Sequence, residues 1–441
     1  MKLNSKRAAA AVAVLTALAL GTAGCGSSSD PSSAGSGAKA APVTLHVSVF
    51  GRFGYADLYK KYMAAHPNVK IVEAAEGDLG KYTTALTQRI AAGSGAADVV
   101  AIEEGSIIQF LQGADRFVNL QKFGSEAIKS QWLPWKYQQA TTADGKTTIG
   151  LGTDVGGLAM CYRKDLFAKA GLPTDRDAVA ALWPTWDAYI DTGKKFQAGI
   201  GDNKVHFIDA ATNTYNSILM QTAGQGDNTT YFDKSNTLII DSNASVKSAW
   251  AESEKMVNAG LSAKLKSFSP EWNAAFKNGA FATIACPAWM TGYIAGQAGE
   301  GGSGNWDIAT VPGGGGNWGG SFLAVPTQSK HQKEAVALVK YLTAPQGQLA
   351  AFEAEGNLPS APSLYEDPAL KDAKNPYFSD APIGQLFVAG AKNLSPVYLG
   401  AKNQPVRDAV ENALRSYEQG QTSADEAWAN AIKDAKAAAG V

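Results

Sequence analysis

The chain has 441 residues, with 39 Lys and Arg against 40 Asp and Glu, for a formal net charge of −1. That balance excludes a basic nucleic-acid-binding face. Three cysteines are too few for a disulfide framework, and the four histidines (His46, His66, His206, His331) are scattered without metal-ligand spacing.

The first elements concern export. Lys2, Lys6 and Arg7 form a basic head, Ala8 to Leu20 is an apolar or small-residue run, and Thr22-Ala23-Gly24-Cys25 follows. That order reads as a secretory signal over 1–24. The apolar run is shorter than the about 20 residues that span a bilayer core. Ala-Gly-Cys resembles the end of a bacterial lipoprotein signal, which implies lipidation of Cys25 and an anchor in the outer leaflet. Thr22 stands where that pattern usually has Leu. Plain secretion, with Cys25 left free or removed, is the alternative. Residues 25–41 are almost wholly Ser, Gly and Ala and are expected to be a flexible tether. The folded part, about 400 residues beginning near Pro42, exceeds what one core comfortably organises, so two lobes are expected.

Val43 to Phe50 alternates and is β-branched, which predicts a strand. Tyr55 to His66 has helical spacing and stops at Pro67. Val69 to Glu73 is a second strand, Lys81 to Ala92 a helix closed by Gly93, and Asp98 to Ile102 a fully apolar strand before a helix through Leu111. Such alternation predicts a parallel sheet covered on both faces. Ligands of such sheets bind beyond the carboxyl ends of the strands, which singles out 50–55, 76–80 and 103–106. Gly150, Gly152, Gly156 and Gly157 interrupt a strand-like run and suit a bend or a crossover between lobes. Helices are expected at 165–170, 185–196, 213–223, 244–259 and 270–278. A strand over 280–286 then leads to Trp289. Cys161 and Cys286 lie in apolar strand-like runs as buried thiols, or as a bridge if the two strands are neighbours. Gly299 to Gly320 is glycine-rich. Its two Gly-x-Gly-x-x-Gly matches neither follow a strand nor open a helix, so they are not dinucleotide sites. A strand at 322–326 and helices at 330–342, 345–355, 405–419 and 423–439 complete the chain. Ser423 and Glu426 are placed to form a capping box.

Several stretches together resemble the extracellular solute-binding proteins of carbohydrate ABC importers. They are Ala97-Asp98-Val99-Val100 before Glu103-Glu104, Cys161 to Phe167, Ala275 to Thr283 leading to Ala288-Trp289, Gly319 to Pro326, and Leu338 to Leu349. Trp318 to Pro326 and the segment near Gly400 to Arg407 are most similar to actinobacterial binders of cellobiose and cellotriose. The resemblance implies an α/β periplasmic-binding-protein-like fold, two lobes joined by a hinge around a cleft. The expected division is 42–153 with 320–374 and 154–319 with 375–441. It also implies an oligosaccharide ligand, the transmembrane subunits of an ABC permease as partners, a monomer, no cofactor and no turnover.

A sugar offers an apolar C–H face to an aromatic ring and a rim of hydroxyls to carboxylates and amides. The candidate ligand-binding residues are Phe53, Glu76, Glu103, Glu104, Asp154, Asn213, Tyr215, Trp272, Trp289, Trp318 and Arg407. Trp289, which directly follows a strand, is the foremost stacker. Trp250 and Trp428, mid-helix, read as core. The acids could instead be loop charges or helix caps, and Arg407 could pair with a surface acid. A glycoside hydrolase needs two facing carboxyl groups about 5 to 9.5 Å apart, and adjacent Glu103 and Glu104 point opposite ways in an extended segment. A polyamine would suit tryptophans and acids nearly as well as a sugar.

Overall fold

A computed structural model describes residues 41–392 and 394–441. The expected signal, Cys25 and all of the expected tether except Ala41 lie outside them.

Val43–Phe50 (β1), Val69–Glu76 (β2), Val99–Glu103 (β3), Gly150–Gly152 (β4) and Ser321–Ala324 (β9) form one sheet in the order β2-β1-β3-β9-β4. β1 runs parallel to β2 and β3, while β9 runs antiparallel to β3 and β4. The expected purely parallel sheet is therefore mixed. β9 returns from the other half of the molecule and starts opposite Glu103, so it must run back against β3.

Leu158–Arg163 (β5), His206–Ile208 (β6), Phe281–Pro287 (β7) and Trp306–Ala309 (β8) form the second sheet, in the order β6-β7-β5-β8. β8 lies inside the glycine-rich run that reads as loop. Its four residues are all buried beside β5.

Side chains alternate across each strand, so each sheet feeds two cores. Leu45, Val47 and Val49 face one core of the first sheet, and Val100 and Ile102 the other. Met160 and Tyr162 face one core of the second sheet, and Ala159 and Cys161 the other. On that latter face Cys161 is bonded to Cys286 on the neighbouring β7. The two lobes are thus one sheet and its helices each.

The chain crosses between the sheets after β4 and before β9. A third crossing lies in the helix Pro345–Glu355. Its Ala351 joins the first-sheet core, whereas Phe352, Leu358, Leu364 and Leu370 join Trp272, Phe281 and Cys286. Much of the run up to 374, expected with the first lobe, therefore packs on the second sheet. The capping box forms as expected, Ser423 Oγ accepting from the Glu426 N–H and Glu426 accepting from the Ser423 N–H.

Candidate functional site

The carboxyl ends of β1 to β4 and the start of β9 border a cavity of about 160 Å³. Phe53 and Tyr55 follow β1, Glu103 ends β3, Thr153 and Asp154 follow β4, and Ser321 opens β9. The second-sheet side contributes Phe268, Trp289 and Tyr293. Trp318 and Arg407 complete the wall. β1 to β4 all point the same way, so their ends open on one edge, as the strand rule requires.

The crossings that bring the halves together depend on glycine. A Cβ on Gly156 would stand 1.8 Å from the Trp318 carbonyl oxygen. Gly319 has φ 90°, and a Cβ there would stand 3.0 Å from Trp289 Nε1. The backbone can therefore pass under the indoles. The ring centroids of Trp289 and Trp318 lie 6.3 Å apart at 68°. This gives the cavity two indole surfaces of different orientation.

Charged side chains line the same cavity. Burial pushes the Glu103 carboxyl up to about 7, against the pull of Arg407 and with a push from Glu104. Glu103 Oε2 accepts the Gly105 N–H at 2.7 Å. Arg407 Nε donates to Glu411 Oε1 at 2.7 Å, and its guanidinium sits 5.9 Å from the Trp318 ring. Asp154 is also raised by burial, with buried Lys136 pulling the other way. Thr153 Oγ1 donates to it at 2.6 Å. The wall thus pairs hydrogen-bond acceptors and a fixed cation with aromatic faces, which is the chemistry of a polyhydroxylated ligand. Among the described residues no group of three or more His, Cys, Asp or Glu could hold a metal, and no helix is long and apolar enough to cross a membrane.

The model of the bacterial extracellular solute-binding protein family matches residues 57–377. The chain belongs to that family. This solute-binding protein is 29% identical over 263 residues to the lactose-binding protein of Rhizobium radiobacter, covering 57% of this chain and 56% of that one. It is 26% identical over 312 residues to the arabinooligosaccharide-binding protein of Bacillus subtilis strain 168, covering 65% and 66%. The chain therefore matches between about half and two thirds of the length of these relatives. A crystal structure described as an extracellular solute-binding protein family 1 member is similar at 42% identity and a TM-score of 0.77, with 90% of this chain and all of that one covered.

Of the candidate residues, Phe53, Glu103, Asp154, Trp289, Trp318 and Arg407 of the solute-binding protein line the cavity. Five do not. Glu76 is exposed at the end of β2 and accepts the Asp78 N–H at 3.3 Å. Glu104 begins the helix after β3, which turns it away from the main cavity. There it is buried and accepts from Gln139 at 3.0 Å and from Asn317 at 2.9 Å, with Lys136 Nζ 3.9 Å away. Asn317 Oδ1 in turn accepts the Gly156 N–H at 2.8 Å, so Glu104 helps to fasten the two crossings. Tyr215 is enclosed in the second-sheet core, accepting from the Tyr231 hydroxyl at 3.2 Å. Trp272 is fully buried, and its indole donates to Asp209 Oδ2 at 2.7 Å. Asn213 is buried beside it and donates to the same carboxylate.

The cavity also takes Arg52 and Tyr55, which fall in the strand end at 50–55 without being named as ligand contacts, Ser321 from the Gly319 to Pro326 run, and Phe268, Tyr293 and Asn357, which sequence reasoning passed over. Tyr293 was within reach, being four residues beyond Trp289 and so on the same helical face. Phe268 carried no local signal.

Proposed function

We propose that this protein is the solute-capturing component of an ABC importer for an oligosaccharide, and that its ligand is a β-linked cello-oligosaccharide such as cellobiose or cellotriose. The observation that carries the reading is that the Trp289–Trp318 pair, Glu103, Asp154 and Arg407 line one cavity between two sheets. The indoles stack on the apolar faces of sugar rings. Glu103 and Asp154 accept hydroxyl protons, and Arg407 donates to hydroxyl oxygens. Closure of the lobes about the crossings at 153–157 and 310–320 desolvates the sugar, and the ligand favours the closed form because closure adds contacts. The permease reads the closed shape, and no bond in the sugar is broken. In this reading the protein is a monomer outside the cell, tethered through lipidated Cys25.

A different oligosaccharide is the second reading, favoured by the names of the relatives, which bind lactose and arabinooligosaccharide. Thermal shift and calorimetry with cellobiose, cellotriose, lactose, arabinotriose and spermidine test these readings, since a ligand selective for the native form raises its stability. Stabilisation by cellotriose alone supports the first reading, and stabilisation by lactose or arabinotriose supports the second. A response to spermidine alone, or release of shorter sugars on incubation, would end both.

A further inference from the structure

Phe268 is the one large aromatic side chain among the described residues to be conspicuously exposed, at 41%, and it lines the cavity. Trp318 and Phe53, by contrast, are 7% and 8% exposed. Phe268 therefore stands at the mouth. Its φ is 63°, a left-handed conformation that a bulky side chain rarely adopts. Such strain persists only where the surroundings over-determine it, and it concentrates at ligand clamps.

The surroundings here hang from one buried carboxylate, Asp209. Trp272 Nε1 donates to it at 2.7 Å, and the Trp272 ring lies 5.1 Å from that of Phe268. Asn213 also donates to Asp209 and accepts from Ser267 Oγ at 3.0 Å, which fixes the residue just before Phe268. Tyr293 packs edge-on against Phe268 at 5.6 Å and 87°. Tyr293 also lines the cavity one helical turn beyond Trp289, so aromatic surface continues outward from the inner indoles.

We propose that Phe268 and Tyr293 form an outer subsite for a sugar unit beyond those held by Trp289 and Trp318, and that this subsite selects for ligand length. The proposal rests on the sugar-binding reading. Asp209, Asn213 and Trp272 act there as positioning residues.

The test is titration calorimetry of the full chain with two matched pairs, cellobiose with cellotriose and arabinobiose with arabinotriose. Phe268→Gly is the variant of choice, because glycine adopts φ 63° freely and keeps the course of the loop. For the pair that binds, Phe268→Gly should weaken the trisaccharide about five- to tenfold, the scale of one aromatic contact, and the disaccharide less than about twofold. Phe268→Tyr should restore trisaccharide affinity to within about twofold of wild type. Equal weakening of both lengths, or of neither, overturns the outer subsite while leaving the sugar reading intact. Failure of wild type to bind either pair overturns the outer subsite, and failure to bind lactose as well overturns the sugar reading.

Discussion

The indole N–H of Trp289 donates to the backbone carbonyl of Trp318 at 3.3 Å. One residue follows a strand of the second sheet and the other lies on the crossing into the first. The bond fixes one ring relative to the other where the two sheets meet. Trp289→Ala should therefore weaken sugar binding by about ten- to hundredfold, through the lost ring face and the loosened Trp318. Trp250→Phe, in the Trp250–Trp428 core pair, should leave affinity within about twofold, serving as a core-substitution control. Equal losses from the two changes would deny Trp289 any special role.

Glu103, raised to about 7, changes charge near neutrality within the cavity. Its ionised form accepts the stronger hydrogen bonds, so affinity should rise about three- to tenfold between about pH 6 and 8. Glu103→Gln should flatten that profile. A Glu103→Gln profile as steep as wild type would assign the titration elsewhere.

Asp209 is fully buried and is likewise raised to about 7. Its unfolded value is about 3.9. Between these values the native state holds a proton that the unfolded chain has released, so stability is full below about pH 4 and declines as pH rises to about 7. Glu103 acts in the same direction. Asp154 and Glu418, also raised by burial, add to it, so Asp209→Asn should remove only Asp209's share of this decline, on the order of 2 to 4 kcal/mol, in urea unfolding at pH 4, 5.5 and 7. A variant whose stability falls as steeply as that of wild type would contradict this assignment.

Gly156 admits no side chain, because its Cβ would lie 1.8 Å from the Trp318 carbonyl oxygen. Gly156→Ala should cost on the order of 2 to 4 kcal/mol and weaken sugar binding, since the backbone must move at the base of Trp318. Gly301→Ala, which meets nothing within 4 Å, is the control. Matching melting temperatures for the two variants would show that the crossing relaxes freely.

The Cys161–Cys286 bond closes a loop of 125 residues in sequence separation. Constraint of the unfolded chain alone predicts a loss of roughly 4 to 5 kcal/mol on removing it. Cys161→Ala with Cys286→Ala should lower the melting temperature, and dithiothreitol should lower that of wild type but not of the double variant. Insensitivity of the wild type to reductant under denaturing conditions would rule this contribution out.

Much of this molecule is legible in local pattern. Alternation in Val43 to Phe50, the apolar run before Glu103 and the glycines at 150–157 announce strands and a crossing. The strand-end rule then leads to Phe53 and Glu103, because a side chain at a strand's carboxyl end stays near the sheet edge, although the same rule also marks Glu76 and Glu104, which the cavity leaves out. Tertiary structure alone sorted the remaining residues. Trp289 is the foremost stacker in the sequence and Trp272 a further candidate, and the structure separates them: Trp272 donates to a buried carboxylate and Trp289 lines the cavity. Glu103 and Glu104 are neighbours, yet a strand ending between them sends one to the cavity and the other to the crossings. The direction of β9, the bond between Cys161 and Cys286 and the left-handed backbone of Phe268 depend on partners more than a hundred residues away or on packing from several elements at once. Periodicity records which face of an element is apolar. It does not record what that face meets.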